Sequence, residues 1–443
     1  MQRPIGSNLR RATLSGLFGS TIEWFDFFLY GTVAGMVFNK LYFPLGDPFI
    51  TTLLSYSVFA IGFLSRPIGA IIFGHFGDTL GRKKILITTL LLTGGATVTI
   101  GLIPSYQQIG LWAPCLLVCC RLIQGIGLGG DWGGSVLMTY ESAPEKHRAF
   151  YASIPQVGMS LGLLLASVSI GIASFFLSDD AFLTWGWRVP FLVSGIFVGI
   201  GYYIRTRVSE TDDFLKGKEN EKEQTKKIPL ITLFKKSKGL VLTCMGMRLT
   251  DGVFFNIFGV FSLTYLTQTL NIPREHALIA VLASAIVMSC FIPFWGYMAD
   301  RWGRARIFAL GAALSGLSAF PSFSLMHYHS DNIWIVWTSI VIPFGIFHAA
   351  VFGTLSSVYA DCFDAEIRYT GISFAYQISG VFAGGLTPIL ATLFSEMLGG
   401  EPWLICIYVL IISFISSSCA LHLWKRTHNT EKTKRTDSIV LIK

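Results

Sequence analysis

Charge is what this sequence has least of. Asp, Glu, Lys and Arg make up 14% of its 443 residues, against about 25% in a soluble chain. That is too few to cover a water-exposed surface of this size. Aromatic residues are plentiful at 14%, which excludes a disordered chain. No C-x-x-C pair or Cys/His cluster with metal spacing occurs, so neither a disulfide framework nor a metal site is expected. Cys115, Cys119, Cys120, Cys244, Cys290, Cys406 and Cys419 lie in apolar runs and Cys362 lies near a loop, as packing residues do. There is no H-E-x-x-H, no nucleophile elbow and no phosphate-cradling loop. An enzyme is therefore not expected, and no cofactor is implied. What is abundant is apolar: 52% of residues, with a mean hydropathy of +0.58. The class is an integral membrane protein.

A spanning helix needs about 20 apolar residues. Twelve such runs can be placed, near 12–38, 50–76, 85–104, 112–140, 149–177, 189–208, 239–268, 275–298, 306–327, 333–360, 369–398 and 402–424. The runs are continuous rather than alternating, which disfavours a β-barrel. Arg10 and Arg11 precede the first run like a twin-arginine signal, but Glu23 and Asp26 inside it point to a retained transmembrane helix. With both termini cytoplasmic, 28 of the 34 Lys and Arg fall on the inner side and 3 on the outer, which sets the topology. The net charge of +8 then faces an anionic leaflet rather than nucleic acid.

The chain repeats itself. Gly74, Asp78, Gly81 and Arg82 follow the second run; Gly296, Asp300, Gly303 and Arg304 follow the eighth at identical spacing, half a chain later. Glu141 and Arg148 are echoed by Asp361 and Arg368. Two inner loops six spans apart imply two six-helix halves in parallel orientation, 1–208 and 239–424. A polar linker at 209–238 would join them, and a tail at 425–443 would follow. The glycines allow tight turns, the acids can cap neighbouring helices, and the arginines can anchor at headgroups.

These loops resemble the G-x-x-x-D-(R/K)-x-G-R-(R/K) signature of the major facilitator superfamily, departing from it at Thr79 and Ala305. Arg121, Gln124, Gly125 and Gly127 resemble its R-x-x-Q-G-x-G motif, associated with proton-coupled members. Glu23-Trp24-Phe25-Asp26, Arg66-Pro67, the Gly129–Gly134 segment around Asp131 and Trp132, Trp185 to Pro190, and Arg368 to Gly371 look like the metabolite:proton symporter family. Asp131 departs from the Glu usual there. Leu270 to Glu275, Gly316 to Pro321 and Gly384 to Pro388 look most like its shikimate-transporter branch. The short tail lacks the coiled coil of osmosensing proline/betaine members. The resemblance implies that helices one, four, seven and ten line a central cavity.

Ionisable residues inside spans are expensive and are functional candidates by default. Glu23 and Asp26 lie three apart on the first helix, where they could share a proton. Arg121 could pair with either acid and release it to a substrate carboxylate. These three and Asp131 are the proton-coupling candidates. Arg248 and Asp251 repeat the pattern on the seventh helix. His348 on the tenth could relay protons, touch substrate or simply pack. Gln124, Trp132, Gln156, Asn256, Tyr376 and Gln377 could bind a hydroxyl-rich ligand or join helices. Arg66 reads as a strut, paired with Asp131 or Glu141. Asp78, Gly81, Arg82, Glu141, Arg148, Asp300, Gly303, Arg304, Asp361 and Arg368 read as structural or gating.

The expected function is a monomeric proton symporter of a bacterial inner membrane, importing a small organic anion such as shikimate or a di- or tricarboxylate. Import of a proline- or betaine-like zwitterion would use both charge signs. A drug:proton antiporter would call for an acidic cavity without Arg121 and Arg248. A transport-derived sensor would have only the linker and tail to signal with.

Overall fold

The computed structural model describes residues 5–43, 48–207, 229–364 and 367–440 and is helical almost throughout. Twelve long helices carry the fold: α1 (Ile5–Val33), α2 (Pro48–Leu80), α3 (Arg82–Leu102), α4 (Trp112–Ser142), α5 (Glu145–Phe176), α6 (Arg188–Thr206), α7 (Ser237–Thr269), α8 (Arg274–Trp302), α9 (Arg304–Tyr328), α10 (Ile333–Cys362), α11 (Arg368–Met397) and α12 (Trp403–Val440). Eleven are long and apolar enough to cross a bilayer. The first, α1, falls short because it carries Glu23 and Asp26 among Ser, Thr and Gly. It compensates by facing other helices: Phe25, Phe27, Leu29 and Tyr30 are buried.

Helix pairing repeats between the halves. In the first, α1 packs on α5 and α6, α2 on α4, and α3 on α4 and α6. In the second, α7 packs on α11 and α12, α8 on α10, and α9 on α10 and α12. The halves meet chiefly where α2 lies against α11 and α5 against α8. Within each half, small residues let backbones touch, as in other membrane bundles. A Cβ on Gly129 of α4 would sit 2.2 Å from the Arg66 carbonyl oxygen of α2.

The repeat extends to local irregularities. A π-helical turn follows α1 at Ala34–Phe38, and another interrupts α7 at Asn256–Phe261. Their starts are offset by the same step that separates Gly74 from Gly296. Such turns insert one residue and often mark functional positions. Further π turns interrupt α10 at Val341–Phe347 and α11 at Val381–Gly385. Gly81 (φ 109°) and Gly303 (φ 99°) make the turns from α2 to α3 and from α8 to α9, in backbone that a side chain would strain.

Three sequence expectations differ in detail. The span at 149–177 is not one helix. It breaks between Arg148–Ser153 and Val157–Phe176, because Pro155 has no N–H to continue the ladder. Residues 209–228 of the expected linker lie outside the described residues, and helix already runs from Pro229 with a kink at Ser237. Lastly, the backbone of the tail continues α12 to Val440.

Candidate functional site

Five helices converge in the middle of the molecule. On α7, Arg248 forms an ion pair with Asp251, one turn further along. From α10, His348 places Nε2 3.0 Å from Asp251 Oδ1. The Arg248 guanidinium lies 4.0 Å from the ring centre of Tyr376 on α11. Trp132 of α4 stacks on the same ring at 3.8 Å and 13°. A stacked indole leaves only the opposite face for the guanidinium, so both faces of Tyr376 are covered. Trp132 Nε1 donates to Gln156 Oε1 (3.0 Å), and Gln156 Nε2 donates to the Phe352 carbonyl (3.2 Å). The break at Pro155 is what turns Gln156 toward α4 and α10. Gln377 Nε2 donates to the Leu128 carbonyl of the other half (3.1 Å), and Asn256 Nδ2 to the Gly252 carbonyl (2.7 Å). Among the described residues, Arg248 Nε, His348 Nδ1, the Tyr376 hydroxyl, Asn256 Oδ1 and Gln377 Oε1 are buried without a hydrogen-bond partner.

The first half holds its own charged cluster. Arg121 Nη1 donates to Gln124 Oε1 (2.9 Å), Gln124 Nε2 donates to Thr97 Oγ1 (2.6 Å), and the guanidinium lies 3.8 Å from the Tyr30 ring centre. Asp26 accepts from Ser194 of α6 (2.9 Å), and its buried Oδ2 has no hydrogen-bond partner among the described residues. Among the described residues Asp26 has no ion-pair partner, so the Arg121–Asp26 pair anticipated from the sequence is not made in this conformation. Glu23 and Asp26 do not meet either. Residues three apart on a helix diverge by about 60°, which is enough to turn Asp26 toward α6 and Glu23 toward α4 and α2. There Glu23 faces Asp131, with Arg66 and Arg205 nearby.

Arg205 is the residue that sequence reasoning missed. Counted among the basic residues of the inner stretch, it instead folds back from the last turn of α6 and is 3% exposed. Its two terminal nitrogens bind both Asp131 oxygens, at 2.8 and 2.9 Å, and Nη1 also donates to the Leu86 carbonyl. Thr89 adds a third bond to Asp131, at 2.8 Å. The only signal for it was position: the first cation at the end of an otherwise apolar run. Consequently Arg66 does not pair with Asp131 or Glu141. It lies against Phe63 (4.3 Å) and Phe27 (5.0 Å).

We call the face that carries the basic loops the inner face. Glu141 of α4 pairs there with Arg82 of its own half and with Arg368 of the other, the latter at 3.1 Å. Arg304 binds both Asp361 oxygens (2.6 and 2.7 Å), and Tyr140 of the first half also donates to Asp361. Asp300 accepts from the backbone N–H groups of Ala149 and Phe150, both at 2.9 Å, capping the short helix at the start of α5 across the interface. Arg148 lies 5.0 Å from the Tyr140 ring centre. The side chain of Asp78 lies outside the described residues. Every other member of this set ties helix ends together, and the bonds of Arg368, Tyr140 and Asp300 close the inner face between the halves.

Twelve helices in two repeats, with charged side chains buried at their centre and an inner face closed by breakable bonds, define a multi-pass membrane transporter. Residues 12–231 match the family described as sugar (and other) transporter, and residues 243–440 match the Major Facilitator Superfamily. The chain is 39% identical to the shikimate transporter of Escherichia coli (strain K12), covering 94% of each chain. It is 37% identical to the inner membrane metabolite transport protein YhjE of the same strain, over 88% of each. It is 32% identical to that strain's proline/betaine transporter, over 86% of this chain and 77% of the relative. Among solved structures, the proton:xylose symporter XylE bound to 6-bromo-6-deoxy-D-glucose has a TM-score of 0.76 at 19% identity, covering 95% and 96% of the two chains. The chain belongs to the major facilitator superfamily, and within it to the metabolite:proton symporter family. It is a metabolite transporter of a bacterial inner membrane and not an enzyme.

Proposed function

We propose that the chain imports a small organic anion together with protons, by rocking its halves, 1–208 and 239–424, about a central site. The observation that carries this reading is the set of unpartnered polar atoms around Arg248. Buried polar groups are normally hydrogen-bonded, so a ligand with a carboxylate and hydroxyl groups would complete what Arg248, Tyr376, Asn256 and Gln377 leave open. A substrate carboxylate would draw Arg248 away from Asp251, which His348 still holds. Asp26, buried with one free oxygen and within the reach of a rearranged Arg121, would carry the proton. Both termini would lie in the cytoplasm, and one chain would suffice.

The relatives whose names include proline and betaine suggest a zwitterion instead. Recognition of a quaternary ammonium favours an open aromatic face, and both faces of Tyr376 are taken. An acid is therefore the better fit, with shikimate, a cyclic hydroxy acid, first among candidates.

The test is proton uptake by proteoliposomes, read as external alkalinisation when shikimate, 2-oxoglutarate, citrate or betaine is added. One acid should give a signal that Arg248→Ala abolishes through binding, and that Asp26→Asn and Arg121→Ala lower relative to the labelled acid carried. A signal with betaine alone would overturn the anion reading. Entry of labelled acid without alkalinisation would overturn proton coupling.

A further inference from the structure

The cluster around Asp131 adjoins the site beside Arg248 through Tyr376 and Arg66 and asks for an account of its own. The carboxyl groups of Glu23 and Asp131 face each other. Two buried carboxyl groups that face each other hold one proton between them more readily than either would alone, because two like charges resist a shared site. The proton's place follows from the other bonds. Asp131 accepts from Arg205 Nη1 and Nη2 and from Thr89 Oγ1, so both its oxygens are engaged as acceptors. Glu23, half-buried, forms no ion pair among the described residues. The other charged or titratable groups facing it are Arg66 from α2, Arg205 from α6 and Tyr376 from α11. The position of Arg205 is built in: a Cβ on Gly19 of α1 would lie 2.3 Å from its Nη2, so the missing side chain leaves room for the guanidinium.

We propose that Glu23 and Asp131 form one proton-binding site, in which Arg205 fixes the negative charge on Asp131 and leaves the proton on Glu23. Arg205 is then a positioning residue, and Arg66 is the cation that receives Glu23 once its proton departs. The step is a simple transfer: the Glu23 O–H bond breaks, the proton goes to water, and the carboxylate keeps the electron pair. The site joins α1, α4 and α6 and is separate from Asp26, so a full cycle moves two protons. This deepens the symport reading and rests on it for the count of two.

The test is infrared pH titration of the full chain in liposomes, in an Asp26→Asn background. We expect a protonated-carboxyl band that titrates once, that Glu23→Gln removes, and whose midpoint Arg205→Lys moves by about one pH unit. Should Arg205→Lys not fold, Gly19→Ser crowds the guanidinium and serves instead. A band unchanged by Glu23→Gln, or a midpoint indifferent to both other variants, overturns the proposal. The spectrum needs no substrate. A titrating band in a protein that carries no labelled shikimate would uphold the site and sink the substrate. With shikimate carried, Glu23→Gln should lower the proton:substrate ratio from two to one, and an unchanged ratio would overturn the two-proton cycle.

Discussion

Asp131 shows how far one side chain governs the first half. Both its oxygens are spent on Arg205 and Thr89 inside the bundle. Removing one partner of a buried pair leaves a bare charge, at a cost of about 3–5 kcal/mol. Arg205→Ala should therefore lower the thermal midpoint sharply, whereas Arg205→Ala with Asp131→Ala should recover much of the loss; equal losses in the single and double variants would contradict the pairing. Gln377 is a milder case. Gln377→Leu leaves the Leu128 carbonyl without its donor, worth about 1–3 kcal/mol, and should weaken the closed form in the same melt. At this scale the sequence marked which residues matter better than it marked their partners. Glu23, Asp26, Arg121, Arg248 and Asp251 stand out because charge inside an apolar run is rare. Their pairings depend on azimuth around the helix and on neighbours far away in the chain. Spacing alone put Glu23 beside Asp26, yet the helical divergence of about 60° over three residues separates them.

Helices add constraints that no single contact carries. Gly303 has φ 99° and ψ 126°, backbone open to glycine but not to alanine. Gly303→Ala should reduce folded yield and thermal stability, as should Gly81→Ala. Gly95 lies mid-helix, with nothing within 4 Å of the place a methyl group would take, so Gly95→Ala should be neutral or stabilising by up to about 1 kcal/mol. Destabilisation by all three alike would mean that turn geometry is not the cause. The helices themselves were readable, because an apolar run of spanning length fits little besides a membrane helix. Their interruptions were not. A π turn changes the backbone without changing composition, and Pro155 and Pro343, the latter inside the π turn of α10, were the chemical hints of an interruption.

The two halves were legible as a whole because the inner-loop motif recurs half a chain apart, and the structure repeats both the helix pairing and the π turn of α1 and α7 at that offset. Closure of the inner face was less so, since it depends on contacts such as Tyr369 donating to the Gly130 carbonyl (2.5 Å) across the halves. A Cβ on Gly133 of α4 would lie 2.2 Å from Ser373 Oγ of α11. Cysteines at these two positions, Gly133→Cys with Ser373→Cys in a background stripped of native cysteine, should cross-link under oxidant and stop uptake until reduced; continued uptake by the cross-linked chain would rule out separation of α4 from α11 during the cycle.

The Trp132–Tyr376 stack spans that same seam, and it gives the protein an optical signal of its own. An indole lying flat on a phenol, with its N–H bound to Gln156, emits differently from one released into water. Opening of the inner face would move Trp132 from the first condition to the second. The emission of the parent chain minus that of Trp132→Phe isolates this one indole from the other ten. Its rise and fall would time each opening without any attached dye.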